Sequence, residues 1–405
     1  MATARYPARH EDVDRNHALL GQRNLLKFWF VFVGFLTTVC AYIHAHRARQ
    51  WFVEDWLINY QAGFVRRGIS GEWAHIMAKL LGLSPVWFVF SLQVSCYGVV
   101  LYTAYFLMKK RVELNIWFWA MIISPATFSF QLVDPQGGFR KEILFFAGLS
   151  GLFIMLRSKI SDWKVAIFLS IWLPLTILAH EALFAYLGYY VAALILGGLS
   201  WRRVFRSVLF PLAFSAIAMY AACTHHGSPQ MAAQICATLS DVDPSPCGGA
   251  VRALGETLTQ GHLDLLTEMR VSSYGLTYGV TGLLAVFPIA VVIVAALRAP
   301  KTRYSAYVLC ASAAAALSLS LPSYIYAKDW GRWIYIQVLT LTLFLIYLDW
   351  DEAGLRLPLS NVLLKHGMAR RLAWAAMIAY ATSWTLPHIP SENHFGIMQR
   401  LAGLL

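Results

Sequence analysis

Residues 274–297 read YGLTYGVTGLLAVFPIAVVIVAAL, without one formally charged side chain. A helix rises 1.5 Å per residue, so a run of this length crosses about 30 Å of hydrocarbon. Working outward, comparable apolar runs fall at about 27–45, 84–107, 115–132, 142–156, 165–180, 182–199, 207–223, 304–321, 333–348 and 372–387. With 274–297 they predict about eleven membrane-spanning helices. The chain has 405 residues, 58% of them hydrophobic and 13% charged. Soluble domains run about 45–50% apolar and about 25% charged. The expected fold class is therefore all-α, a polytopic integral membrane protein. Its 15 tryptophans and 19 tyrosines suit aromatic belts at the two membrane surfaces.

Residues 1–26 are polar and too long for a usual signal n-region, and no small-residue cleavage site follows the first apolar run. They are expected to be a cytoplasmic tail before an uncleaved span. With the N-terminus inside, every inner segment carries at least three Lys or Arg, for example Lys109, Lys110 and Arg111, then Arg202, Arg203 and Arg206, then Arg356, Lys365, Arg370 and Arg371. That matches the positive-inside rule and makes the net charge of +12 a topology signal that needs no nucleic-acid partner. The bundle is expected over 27–387, with outer loops 46–83, 133–141, 224–273 and 322–332 and a periplasmic tail at 388–405. Cys236 and Cys247 fall in the one long outer loop, where an oxidising periplasm would let them pair. No metal-ligand spacing is read, and so no metal.

The polar clusters then fall on the outer side. The first loop holds WFVEDWLINYQAGFVRRGISGEWAHIMAKLLG, residues 51–82. Arg66-Arg67 stands on the side the charge rule disfavours, and Gly63 and Gly68 bracket it. Adjacent guanidinium forks suit a diphosphate; the plainer alternative is pairing with Glu54, Asp55 or Glu72. Residues 70–82 read as an amphipathic surface helix with Trp73, Ile76, Met77, Leu80 and Leu81 on one face and Ser70 capping its start. In the second loop, two glycines precede Arg140-Lys141 and Glu142, as a ligand-binding turn or an internal ion network. His180-Glu181 is a polar junction between apolar runs. At most one of these neighbours is expected to point at a given site, and partial burial would raise Glu181 toward neutrality as a general base, with His180 orienting it or binding substrate. In KDWGRW, Asp329 and Arg332 have the spacing of a local ion pair beside Trp330 and Trp333.

Arginines, a few carboxylates and many aromatics fit a sugar carried on polyprenyl phosphate or diphosphate. NYQAGFVRRGISGE, GGFRKE, the His180-Glu181 junction and DWGRW together resemble bacterial O-antigen or exopolysaccharide polymerases. The layout is similar to lipid-dependent glycosyltransferases of the GT-C type. The resemblance implies an inverting transferase or polymerase in the bacterial inner membrane, N-terminus cytoplasmic, with its site facing the periplasm. Its substrate would be a polyprenyl-diphosphate-linked glycan, and its partners membrane lipids and other polysaccharide-assembly proteins. The GT-C pattern places a catalytic acid at Glu54 or Asp55 and admits a divalent metal; no other cofactor is expected. Arg66, Arg67, Arg140, Lys141 and Arg332 would bind phosphate. Glu181, or failing that Asp55 or Asp329, would take the acceptor proton, and Tyr60, Trp330 and Trp333 would stack on sugars. The rivals are a flippase of lipid-linked oligosaccharide, a non-catalytic assembly subunit, and acyl transfer to the polymer.

Overall fold

The computed structural model describes residues 8–47, 50–109, 115–240, 242, 247–348, 350, 355, 357–359, 362–363 and 367–390. The ends of the two expected tails, at 1–7 and 391–405, lie outside the described residues, as do Lys110, Arg111, Arg356 and Lys365. Every regular element among the described residues is helical. In order they are α1 (Ala8–His46), α2 (Gln50–Leu57), α3 (Ile69–Leu81), α4 (Pro85–Met108), α5 (Ile116–Ile123), α6 (Phe130–Val133), α7 (Pro135–Gly138), α8 (Glu142–Arg157), α9 (Asp162–Ala179), α10 (Gly188–Leu196), α11 (Trp201–Thr224), α12 (Pro229–Ala237), α13 (Leu258–Val271), α14 (Tyr274–Arg298), α15 (Arg303–Tyr326), α16 (Trp330–Tyr347) and α17 (Met368–Thr382).

Among the described residues, six helices are long and apolar enough to cross a membrane: Leu20–His46 within α1, then α4, α9, α11, α14 and α15. Their outward faces explain why. Phe28, Val31, Phe35 and Tyr42 on α1, Phe210, Phe214 and Ile217 on α11, and Leu276, Leu283 and Phe287 on α14 are exposed at helical spacing. Contiguous apolar stripes of this kind are solvated by lipid rather than water. Prolines 174, 211, 288 and 322 sit inside four of the six, a placement membrane helices tolerate where neighbours satisfy the freed carbonyls. α16 is different. It is buried on nearly every side, enclosed by α4, α8, α14 and α15, and forms the post around which the bundle stands.

The structure departs from the expected spans in three places. The run at 115–132 is not one helix. α5 stops at Ile123 because Ser124 precedes Pro125 and takes an extended backbone, ψ 134°. The chain then continues as buried turns held by hydrogen bonds: Thr127 donates to the Met121 carbonyl (2.6 Å), Ser129 to the Ser124 carbonyl (3.1 Å) and Gln131 to the Thr37 hydroxyl (2.8 Å). The run at 182–199 opens as a 3-10 turn over Glu181–Tyr186 and is α-helical only in α10. The last run, 372–387, ends as a helix at Thr382. Beyond it Trp384, Thr385, Leu386, His388 and Ile389 are buried, so the described start of the expected tail packs into the bundle.

Candidate functional site

At one end of the bundle the loops around 51–72, 134–142, 180–181, 225–240, 247–256, 327–333 and 384–390 meet, and local hydrogen bonds fix how. The Trp56 indole donates to the Phe139 carbonyl (2.8 Å), and the Gln93 amide to the same carbonyl (3.1 Å) and to Phe52 (2.9 Å). The Tyr97 hydroxyl donates to the Gly138 carbonyl (2.6 Å). Residues from α2 and α4 thereby hold the backbone that carries Arg140 and Lys141. Glycines 137 and 138 serve close packing here, since a Cβ would meet His388 at 2.7 Å and the Gln131 backbone at 2.3 Å.

The inner layer is closed to solvent. Asp55 is 0% exposed and lies 3.6 Å from Arg140 Nε and 3.8 Å from Lys141 Nζ. Neither cation comes within hydrogen-bond reach, and both Asp55 oxygens lack a hydrogen-bond partner. Arg140 lies over the Trp51 ring at 4.7 Å and donates to the Trp51 carbonyl at 3.3 Å. Lys141 donates to the Arg67 carbonyl at 2.8 Å. Arg332 bridges Glu142 and Asp329 and stands 3.4 Å from His180 Nε2. The expected Asp329–Arg332 pair is thus present, with Glu142 as a further partner.

The outer layer is partly open. Arg67 grips Glu181 with its fork, Nε at 3.0 Å from Oε2 and Nη2 at 2.7 Å from Oε1, and Arg66 Nη1 adds a contact at 3.5 Å. Side chains of Arg66, Arg67, Glu181 and Asp329 are 20, 27, 16 and 21% exposed, against 5% or less for Arg140, Lys141 and Asp55. The left-handed backbone that the flanking glycines anticipate occurs at Gly63 (φ 102°) and at Arg67 itself (φ 66°), an uncommon conformation for a side chain of that size. The Lys141 bond to the Arg67 carbonyl helps hold it. Gly68 instead packs on Tyr60, where a Cβ would meet the ring at 2.2 Å.

Several expectations are corrected. Glu181 is not pushed toward neutrality: burial would raise it, but the Arg67 guanidinium, with His180 and Arg66, holds it well below the usual carboxylate range. Its oxygens are occupied, so it is not a free base. His180 and Glu181 both reach the cluster, because His180 leaves the helix with an extended backbone (φ −157°, ψ 105°). Burial, then Arg67, push His180 down to about 4. Asp55 is also held low, its burial outweighed by Lys141 and Arg140. Burial lowers Lys141 to about 8 despite Asp55. Glu54 is a clamp, accepting the Gly249 N–H (2.8 Å) and the Val251 N–H (2.8 Å). Glu72 holds the Tyr60 N–H (2.9 Å). Ser70 does not cap α3; Gly68 occupies the cap position, and Ser70 donates to the Trp56 carbonyl at 3.1 Å. The helix is otherwise placed as expected, with Trp73, Ile76, Leu80 and Leu81 exposed.

The aromatic residues are less available than expected. Trp333 is buried against His180. Trp330 is ringed by Tyr274, Tyr278 and Tyr324 and donates to the Tyr324 carbonyl at 2.8 Å. Tyr60 stacks on Phe64 at 4.9 Å. Half-buried Trp330 and Tyr60 retain an edge for a ligand; Trp333 does not.

Sequence reasoning missed the Asp134–His388 pair. Asp134 accepts the His388 N–H (2.5 Å) and faces its Nδ1 (2.8 Å), pinning the returning C-terminal segment. It also missed the cleft beside the cysteine pair, though it allowed the pair itself. The Cys236–Cys247 disulfide forms, and beside it a cleft of about 490 Å³ opens between α12 and residues 252–256. The cleft lies next to the ion cluster, not within it.

A divalent metal does not fit the donor set. Asp55, Glu142, Glu181 and Asp329 each face an arginine or lysine, whose charge opposes a cation. Among the described residues no group of three His, Cys, Asp or Glu converges as a metal site. No family model, characterised protein or solved structure matches this chain.

Proposed function

We propose that this chain is an inverting membrane glycosyltransferase of polymerase type that uses a polyprenyl-diphosphate-linked sugar. In this reading the chain crosses the bacterial inner membrane about eleven times in a GT-C-like or polymerase-like bundle, with its N-terminus cytoplasmic and the ion cluster facing the periplasm. The observation that carries it is the gathering of Arg66, Arg67, Arg140, Lys141 and Arg332 at one end of an apolar bundle, with Arg66 and Arg67 at the open edge. Buried charges in such a bundle are costly, and they mark sites that bind or move charge.

The donor diphosphate takes the place of Glu181 on the Arg67 fork, exchanging one anion for another with bidentate geometry kept. Its lipid tail lies along the exposed apolar face of α3, which begins directly after Arg67-Gly68. The base assigned in this reading is Asp55, whose two oxygens lack hydrogen bonds. Asp55 accepts the proton of the acceptor hydroxyl as that oxygen bonds to the anomeric carbon. The bond from that carbon to the diphosphate oxygen breaks, and the five cations stabilise the charge that develops. No step needs a cofactor.

The test is deletion of the gene in its host, with surface and lipid-linked glycans resolved by gel and mass spectrometry, and rescue with wild type, Arg66→Ala or Arg67→Ala. The reading requires loss of long chains, accumulation of single lipid-linked repeats, and no rescue by either variant at wild-type membrane levels. Rescue by both variants would remove the assignment. Repeats stranded on the cytoplasmic leaflet would favour a flippase.

A further inference from the structure

We infer that the cleft between α12 and residues 252–256 is the subsite for the acceptor glycan, an inference that rests on the transferase reading and gives its second substrate a place. The cleft is built, not incidental. Ser228 caps α12 by accepting the Met231 N–H at 3.1 Å, and Pro229 occupies its first turn. The opposite wall is pressed close. A Cβ on Gly227 would meet the Leu254 carbonyl at 2.6 Å, and one on Gly255 would meet Pro229 at 3.0 Å. The Cys236–Cys247 disulfide closes one end of the same wall.

Its lining has the chemistry of a saccharide site. Pro229, Ala232 and Ala233 offer a small apolar surface for the C–H face of a sugar ring. Arg252 and Glu256 stand four residues apart on the rim, both exposed. They present a fork of donors and a pair of acceptor oxygens, the combination that binds neighbouring hydroxyls. The volume of about 490 Å³ lies in the range of about 300–1,000 Å³ typical of ligand pockets.

The cleft is fixed relative to the ion cluster by three ties. Glu54 clamps Gly249 and Val251, where a Cβ on Gly249 would meet Glu54 at 2.9 Å and Trp51 at 3.1 Å. The Arg66 N–H donates to the His225 carbonyl at 3.1 Å. Phe64 packs edge-on against His225 with ring centres 5.0 Å apart. Glu256 on the cleft rim is near enough to act electrostatically on Arg66. A glycan in the cleft therefore ends beside the arginines assigned to the donor diphosphate.

The test uses the full-length protein in detergent and one defined probe: the host's repeat oligosaccharide, released from its lipid by mild acid. Binding is read by saturation-transfer NMR without donor, for wild type, Arg252→Gln and Glu256→Gln. Both substitutions lie on an exposed rim, and thermal unfolding checks that the fold is kept. The expected result is binding by wild type, weakened about tenfold in each variant by loss of a charge-assisted hydrogen bond. Absence of binding to wild type, or equal binding to all three proteins, overturns the inference. Transfer from the lipid-linked donor is assayed separately. Binding that follows the rim variants in a protein that transfers no sugar would keep the cleft as a glycan site and remove the transferase reading.

Discussion

Asp55 and Lys141 show how much of the site rests on single side chains. Asp55 is the only carboxylate facing both Arg140 and Lys141 among the described ion pairs. Asp55→Ala leaves two buried cations without their compensating charge, a loss that costs about 3–5 kcal/mol where one partner of a buried pair is removed. Thermal unfolding in detergent should show it, and a variant as stable as wild type would mean that water reaches the pair. Lys141 supplies a pH dependence. Burial pushes it down to about 8, so it is charged below that pH and neutral above. The cluster then loses one of its five cations as pH rises through 8. Affinity for the polyprenyl-diphosphate donor should fall between pH 7 and 9, and Lys141→Arg, which stays charged throughout, should flatten the profile. A wild-type donor KM that is constant across this range would take Lys141 out of phosphate binding.

At the scale of elements, the legible parts of the sequence were those governed by local periodicity. Runs expected at 84–107 and 274–297 form helices at Pro85–Met108 and Tyr274–Arg298, because length and unbroken apolarity decide a span without help from distant residues. The charged members of the cluster were also legible, since cations on a disfavoured side stand out in an apolar chain. Their partners were not. Glu54 meets Gly249 and Asp134 meets His388 across 195 and 254 residues, and nothing local encodes such pairings. The run at 115–132 misled because its composition is apolar throughout while Pro125 breaks the backbone within it. Gly331 makes the same point. A Cβ there would lie 1.9 Å from the Pro387 carbonyl oxygen, so α16 admits the returning segment only because this position has no side chain. Gly331→Ala should cost at least the roughly 1–3 kcal/mol of an overpacked core, and should expose 384–390 to limited proteolysis. Gly275→Ala, where a Cβ meets nothing within 4 Å, serves as the control and should be neutral or slightly stabilising, since alanine is the better helix former. Equal behaviour of the two variants would show that the segment does not dock on α16.

For the whole molecule, two independent features distinguish the ends of the bundle. At the end opposite the ion cluster, Arg157 donates to the Tyr347 carbonyl at 2.7 Å and Arg203 pairs with Asp162 at 2.5 Å. Lys159, Lys164, Arg202 and Arg206 belong to the same turns. An excess of cations in short loops marks the cytoplasmic side. At the ion-cluster end a disulfide forms, and disulfides persist in an oxidising compartment. In the proposed orientation the cation-rich turns are cytoplasmic and the disulfide is periplasmic, which ties one feature to insertion and the other to redox chemistry. They can be tested together with a membrane-impermeant maleimide on intact cells. In a chain carrying Cys223→Ser and Cys247→Ser, Cys236 is left as a thiol in the wall of the cleft. It should be labelled before lysis, while Arg203→Cys should be labelled only after lysis. Removing the crosslink costs about 3 kcal/mol for a loop of roughly this size, so labelling is compared at matched membrane levels. Labelling of Arg203→Cys alone in intact cells would invert the topology and turn the ion cluster toward the cytoplasm. The arginines would then stand on the side where cations are ordinary, and their placement would no longer mark an anionic substrate.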